Sequence, residues 1–287
     1  TIHIYEIMNN TIKENILHNN NNGIQIYYSE KGEVKNNTIS SINKLDIQIK
    51  DCEFLKITNN TMESKGILFD GSYKQSFWNT HEIDTSNTID GKQVYYWKNK
   101  TNVNVLSNAA QVILGNCSRF SLENLSLSGV TTSVQIGYSD NITINTSDLS
   151  DNTVHGVFTR NSFDNIMRGN KIENNNKNGI LSYSSHRNIF SENVIKRNSD
   201  NGISIFSGNN ITVFNNTLSE NTCDGIFIGW SEWNNISNNT IERNEDGVVI
   251  SSSNNNLIAN NTISYNTYYG FVETSNDDMI YHNNFIN

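Results

Sequence analysis

Two consecutive stretches decide the fold. Residues 193–205 read Asn193-Val194-Ile195-Lys196-Arg197-Asn198-Ser199-Asp200-Asn201-Gly202-Ile203-Ser204-Ile205. Residues 216–228 read Asn216-Thr217-Leu218-Ser219-Glu220-Asn221-Thr222-Cys223-Asp224-Gly225-Ile226-Phe227-Ile228. An Asn opens each, an aliphatic residue follows two places later, and a turn residue with Gly then leads into alternating apolar positions. The period extends outward in both directions. The glycines Gly156, Gly179, Gly202, Gly225, Gly247 and Gly270 step by 23, 23, 23, 22 and 23. The asparagines Asn170, Asn193, Asn216, Asn239, Asn261 and Asn284 keep the same step, each followed two places on by Ile or Leu. Asn10, Asn37 and Asn60 start the same phrase near the N-terminus, and coils without the glycine sit at Ile47–Ile49, Val112–Leu114 and Val134–Ile136.

A period of 22–23 with short β-branched segments fits one coil of a right-handed parallel β-helix. Like residues of successive coils then lie about 4.8 Å apart. Columns of Ile, Val and Leu fill a dry interior. Asn tolerates left-handed backbone and carries both a donor and an acceptor, so stacked Asn side chains form a ladder. Gly beside it is expected to supply the positive φ of a sharp corner. A leucine-rich repeat lacks its frame here, and runs such as Asn-Asn-Thr-Ile break any helical repeat. The expectation is an all-β, single-domain solenoid over residues 1–287, about a dozen coils long, with an irregular enlarged-loop coil at about 72–109.

Composition agrees with this reading. Of 287 residues 54 are Asn and none is Pro, so no strand lacks the N–H its ladder needs. Hydrophobic residues make up 35% and charged ones 17%, with aromatics at 10%, a balance that argues against disorder. A net charge of −9 argues against nucleic acid as partner. No apolar run reaches the roughly 18 residues of a membrane span. Without a charged-then-apolar leader at Thr1, the chain reads as a mature form or an excised piece. Neither end carries an obvious polar cap, which leaves a shortened chain and coil-on-coil stacking between subunits both open.

The run Asn87-Thr88-Ile89-Asp90-Gly91-Lys92-Gln93-Val94-Tyr95-Tyr96-Trp97, followed by Gln111-Val112-Ile113-Leu114-Gly115-Asn116-Cys117, resembles archaeal NosD-like surface proteins with carbohydrate-binding/sugar-hydrolase (CASH) β-helix repeats. Gln93 departs from the Pro expected there, and His282–Asn287 resembles that family's final coil. The resemblance implies an exported, extracellular or cell-envelope protein that binds or shapes polysaccharide. It also implies copper chemistry, for which clustered His or Met ligands are needed. The six His are scattered, and only His81 with Glu82 and Asp84 group locally, as loop surface. No cofactor and no metal site is expected.

The outward position after each glycine reads Gln25, Gln48, Leu68, Ile113, Gln135, Phe158, Leu181, Ser204, Phe227, Val249 and Val272, accompanied by Arg160, Tyr183, Phe206 and Trp230. A contiguous apolar stripe on a rod marks an interface, a platform for sugar rings, or a surface covered by the chain's own loop at 72–109. The partners expected are therefore a second copy, in a homo-oligomer or filament, or a surface polysaccharide. Catalysis in β-helix polysaccharide enzymes rests on carboxylates sharing a strand face, and hydrolysis needs two of them roughly 5–9.5 Å apart. Asp224 and Asp246, one coil apart, are the best pair, with His155 and Arg160 to assist. The alternative is that Asp-Gly is a turn pair equivalent to Asn-Gly. The Asp-Pro-His motif of alginate epimerases is absent, so a non-catalytic scaffold leads and a lyase, hydrolase or epimerase is the alternative. Cys52, Cys117 and Cys223 lie on separate coils, too far apart to pair, and are expected to fill the core. Among thirteen Asn-x-Ser/Thr triplets, Asn99 is the expected glycan carrier, while Asn9 and Asn215 are expected to have limited room.

Overall fold

The computed structural model describes residues 1–40, 42–71, 73–103 and 108–286. Ser72 and residues 104–107, within the irregular segment read from the sequence, lie outside the described residues. The chain is a right-handed parallel β-solenoid of about a dozen turns. Strands one period apart pair in register, as in Ile180↔Ile203, Ile203↔Ile226 and Ile226↔Val248. Among the described residues no helix is long and apolar enough to cross a membrane.

The Asn column forms the expected ladder. Asn193 Oδ1 accepts from the backbone N and the Nδ2 of Asn170 at 2.9 and 3.0 Å, and Asn193 repeats the pattern toward Asn216. All are buried. A separate ladder near the N-terminus runs Asn15–Asn37–Asn60–Asn87 and so begins on Asn15, not Asn10, while the one through Asn193 ends on Asn283, since Asn284 sits in a strand opposite Thr262. The left-handed backbone belongs to the residue before the ladder, namely Gly169, Glu192, Asn215, Asn238 and Asn260. The two virtues of Asn are thus divided between neighbours. One turns the corner in solvent; the next bonds inside. Asn215, one of these corners, and Asn9, a left-handed corner before Asn10, are both exposed, contrary to the expectation of limited room. The repeat glycines are needed for a different reason than positive φ, which none of Gly156, Gly179, Gly202, Gly225 and Gly247 has. A Cβ on Gly202 would lie 2.7 Å from the Gly225 carbonyl oxygen of the next coil. Close approach excludes every side chain.

The stack contains one reversal. Strand Thr88–Ile89 pairs in parallel with Thr61–Met62 but antiparallel with Lys92–Lys98, through a turn whose Asp90 and Gly91 have φ of 48° and 75°. Beyond this hairpin the sheet continues in parallel through Ala109–Gly115 and the remaining coils. Both stacks wind right-handed while their strands run oppositely, so their interiors face opposite sides of the shared sheet. Side chains confirm it: Tyr95, Val112 and Leu114 join the core of the C-terminal stack, whereas Val94, Tyr96 and Ile113 join that of the N-terminal stack. A strand buried on both faces reads as an unbroken apolar run, and this accounts for Val94-Tyr95-Tyr96-Trp97.

The reversal also places the end of the N-terminal stack over the outer face of the C-terminal one. The strand Ile67–Asp70 ends one of its sheets and, among the described residues, has no further strand to pair with. Glutamine side chains replace that strand: Gln111 Oε1 accepts from Ile67 N at 3.0 Å and Gln135 Oε1 from Phe69 N at 2.9 Å, while both Nε2 groups donate to Ile67 O. The short helix Ser76–Asn79 inserts Trp78, fully buried, against Phe69 and Phe158. Gly115 and Gly137 make room for it, since a Cβ on either would collide with Trp78. Within the irregular segment His81 is buried, not loop surface. Leu55 N donates to its Nδ1 and its Nε2 lies 2.9 Å from Phe77 O, a neutral ring whose burial pushes its pKa down to about 4. Cys52 and Cys117 are buried as expected, but Cys223 is half-buried at a turn.

Candidate functional site

The outward column of the shared sheet behaves differently along its length. Ile113, Gln135 and Phe158 are covered by the N-terminal stack. Beyond them Leu181, Phe227, Val249 and Val272 are half-buried and face outward, while Ser204 between Leu181 and Phe227 is buried. The stripe is therefore shorter than the sequence implied. Phe158 and Arg160 do not lie on its open part, because the coils that cover them pack across a reversal that no local pattern announces.

What remains open is a row of aromatic rings parallel to the stack. The Arg160 guanidinium lies between Tyr73 and Tyr183, 4.7 and 4.3 Å from their ring centres. Tyr183 stacks on Phe206 (6.2 Å) and Phe206 on Trp230 (6.1 Å), each pair 27° apart, with Phe227 5.0 Å from Phe206. Gly229 stands where the coils before it carry Tyr183 and Phe206; a Cβ there would press on the Phe227 ring. Its absence lets Phe227 and Trp230 share the surface.

Trp230 is 64% exposed and Trp233 58% exposed. Both have left-handed backbone, with φ of 50° and 61°. Adjacent coils fill these corners with Ser184, Ser207 and Ser252, and with Asn210 and Asn255. A bulky side chain suits that conformation poorly compared with Asn, and its exposed ring gains little from burial. Two such corners on one coil break the repeat where folding would favour Ser or Asn.

A polar column runs beside the rings, just before the repeat glycines: His155, Asn178, Asn201, Asp224, Asp246 and Tyr269. Asn201 Nδ2 donates to Ser204 Oγ (2.9 Å), which donates to Asn178 Oδ1 (2.7 Å), and Asp224 N donates to Asn201 Oδ1 (2.8 Å). Burial, then the charges of Asp246, Glu245 and Asp200, push the Asp224 carboxyl up to about 7. Burial raises the Cys223 thiol to about 11, reinforced by Asp200, so it stays protonated. The four residues grouped from sequence do not form one site. His155 lies three coils from Asp224, roughly 14 Å at the strand spacing.

His155 and Arg160 belong instead to a cavity of about 370 Å³ where the two stacks meet, lined also by Gln48, Asp70, Lys177 and Tyr183. Burial, then Lys177, pushes the His155 pKa down to about 3. Sequence reasoning placed Gln48 only in the outward column and missed Asp70 and Lys177, because they approach from the other stack or a neighbouring turn. Asn99, the expected glycan carrier, is exposed with positive φ, and its Oδ1 accepts from Asn79 and Asn116.

A family model described as "Right handed beta helix region" matches residues 1–110 and 99–235, and one described as "Periplasmic copper-binding protein (NosD)" matches residues 198–287. No curated protein matches the chain in sequence. Among solved structures, the periplasmic alginate epimerase AlgG aligns with a TM-score of 0.52 at 14% identity, over 91% of this chain and 77% of that one. PfbA, a surface adhesin of Streptococcus pneumoniae, aligns at 0.48 and 16%, over 87% and 63%. The Azotobacter vinelandii mannuronan C-5 epimerase AlgE4 A-module aligns at 0.44 and 14%, over 92% and 87%. At these identities the likeness is one of fold. The donors within residues 198–287 are too dispersed for copper: Cys223 lies two coils before His282 and Met279, roughly 10 Å at the strand spacing, and among the described residues no three His, Cys, Asp or Glu converge.

Proposed function

The chain belongs to the right-handed β-helix family, and on that premise we propose that it is a periplasmic or cell-surface scaffold whose outer strand face binds polysaccharide without turning it over. The observation that carries this reading is the stacked ring row of half-buried Tyr183 and Phe206 leading to exposed Trp230, with Trp233 exposed at a second unfavourable corner of the same coil. Flat rings offer apolar faces to sugar C–H groups, while the Asn178, Asn201 and Ser204 column beside them offers donors and acceptors to hydroxyls. Repeat geometry sets these groups at near-constant spacing, which suits a polymer of repeating sugars. Neutral and acidic polysaccharides (xylan, β-glucan, polygalacturonate, alginate) arrayed on a surface should capture the protein. Trp230→Ala should weaken capture at least about tenfold, as for a central aromatic anchor. Equal capture of Trp230→Ala and wild type would remove this reading.

A second reading is favoured by the carboxyl of Asp224, protonated near neutrality as a general acid must be, with Asp246 one coil away. It makes the protein a polysaccharide-cleaving enzyme acting beside the ring row. Release of reducing or unsaturated ends by wild type, lost in Asp224→Asn, would establish it. Self-association is part of the first proposal, supported by the half-buried apolar column Leu181, Phe227, Val249 and Val272, which a second copy would cover. Light scattering across a concentration series tests it, and a constant monomer mass would rule it out.

A further inference from the structure

We propose that the cavity at the junction of the two stacks is a binding pocket for the anionic end of a glycan chain, with Arg160 as its anion-reading group. This rests on the polysaccharide-binding reading above and specifies how the ring row ends.

Arg160 is 7% exposed. A buried guanidinium ordinarily meets a carboxylate, because an unpaired buried charge is costly. Among the described residues none pairs with Arg160, and its Nε has no hydrogen-bond partner. The charge is felt by Asp51 without an ion pair forming. Its flat faces are held between Tyr73 and Tyr183, fixing the guanidinium plane and leaving its N–H edge for a ligand. A planar fork of donors matches a carboxylate or sulfate in a bidentate mode. Lys177 lines the same cavity and adds a second positive charge. His155, 8% exposed and also lining it, leaves Nδ1 without a partner among the described residues. Burial holds this ring neutral, so that nitrogen is free to accept from a ligand hydroxyl in one tautomer or to donate to a ligand oxygen in the other. Asp70, whose Oδ2 accepts from Gln48 Nε2, puts one negative charge on the lining against the two positive charges of Arg160 and Lys177 and offers an acceptor to a ligand hydroxyl. The cavity of about 370 Å³ falls within the usual range of small-ligand sites, roughly 300–1,000 Å³.

Position argues for a chain end over a mid-chain unit. The outward column is covered at Phe158, Gln135 and Ile113, half-buried against the edge of the N-terminal core at Leu181, and half-buried at Phe227, Val249 and Val272 beyond the buried Ser204. A polymer lying on Trp230, Phe206 and Tyr183 therefore meets a wall just past Arg160. Its last sugar enters the cavity and the chain cannot run on.

Calorimetry with defined probes tests this. Trigalacturonate, its fully methyl-esterified counterpart and a sulfated carrageenan oligosaccharide separate carboxylate, neutral and sulfate ends. Wild type should bind one or both anionic probes at least about tenfold tighter than the ester, and Arg160→Gln should abolish that difference. Longer polygalacturonate chains should bind one protein per chain end whatever their length. Should Arg160→Gln fail to fold by circular dichroism, Lys177→Gln carries the test, with an expected several-fold loss for the anionic probes alone. Equal binding of ester and acid, unchanged preference in the variants, or stoichiometry rising with chain length would each overturn the pocket. If polysaccharide capture still depends on Trp230 in that event, the binding face stands and only the anionic end pocket falls. If wild type captures no polysaccharide at all, both fall.

Discussion

Asn215 and Asn216 are adjacent and chemically identical, yet they do different work. Asn215 is exposed and turns the corner, while Asn216 donates through Nδ2 to Phe190 O at 2.8 Å and to Asn239 Oδ1 at 3.0 Å. Asn216→Ala leaves buried acceptors unmet and should cost about 1–3 kcal/mol. Asn215→Gly keeps the left-handed backbone and should stay within about 0.5 kcal/mol of wild type. Urea titration of both variants checks this asymmetry. The ladder was legible because its spacing is printed in the sequence; the division within each doublet was not, since identical letters hide different backbone states. Asp224 gives a pH signature. Its carboxyl titrates near 7 in the fold and near 4 when unfolded, so the unfolded chain loses its proton first as pH rises. Its stabilising contribution is present below about pH 4 and is lost as pH climbs through 7. Asp224→Asn should therefore match wild type at low pH and exceed it in urea titrations at pH 8.

At the scale of strands, the run Val94-Tyr95-Tyr96-Trp97 carried more information than a family signature. Four large apolar residues in succession mean two buried faces, and Asp90-Gly91 just before them is a hairpin signal. Together these spell a reversal, yet the enlarged-loop reading took them as irregularity because the partner face is formed by residues some 20–50 positions away. Gln111 and Gln135 were equally opaque. A glutamine in an outward column reads as solvated, and only the blunt edge of Ile67–Asp70 shows what its amide is for. Gln135→Leu keeps the volume but leaves Phe69 N without a partner, at a cost of about 1–3 kcal/mol. Hydrogen exchange should show the Phe69 amide losing protection in this variant while Ile203 and Ile226, in the other stack, keep theirs. Equal protection of Phe69 in both proteins would mean that the glutamine does not cap that edge.

Across the whole molecule, one sheet serves two interiors, and this decides which surface is free. The sequence showed a stripe from Phe158 to Val272 and left open whether it meets sugar, a second copy or the chain's own loop. The structure covers its first members with the N-terminal stack and leaves Leu181 and its successors outward. The aromatic members, and Gln48 as an outward residue, were legible by period; Asp70 and Lys177, and the meeting of all three with Arg160, were not, since folding alone brings them together. Other rings are as exposed as those of the row: Tyr265, Tyr268 and Tyr281 on the last coils, and Tyr5 on the first. They serve as internal controls. Hydroxyl-radical footprinting, with and without whichever arrayed polysaccharide the protein captures, reads all of them in one experiment. Tyr183, Phe206, Trp230 and Trp233 should become protected together while Tyr5, Tyr265 and Tyr281 react as before; protection confined to the terminal tyrosines, with Trp230 unchanged, would contradict the placement of the binding face.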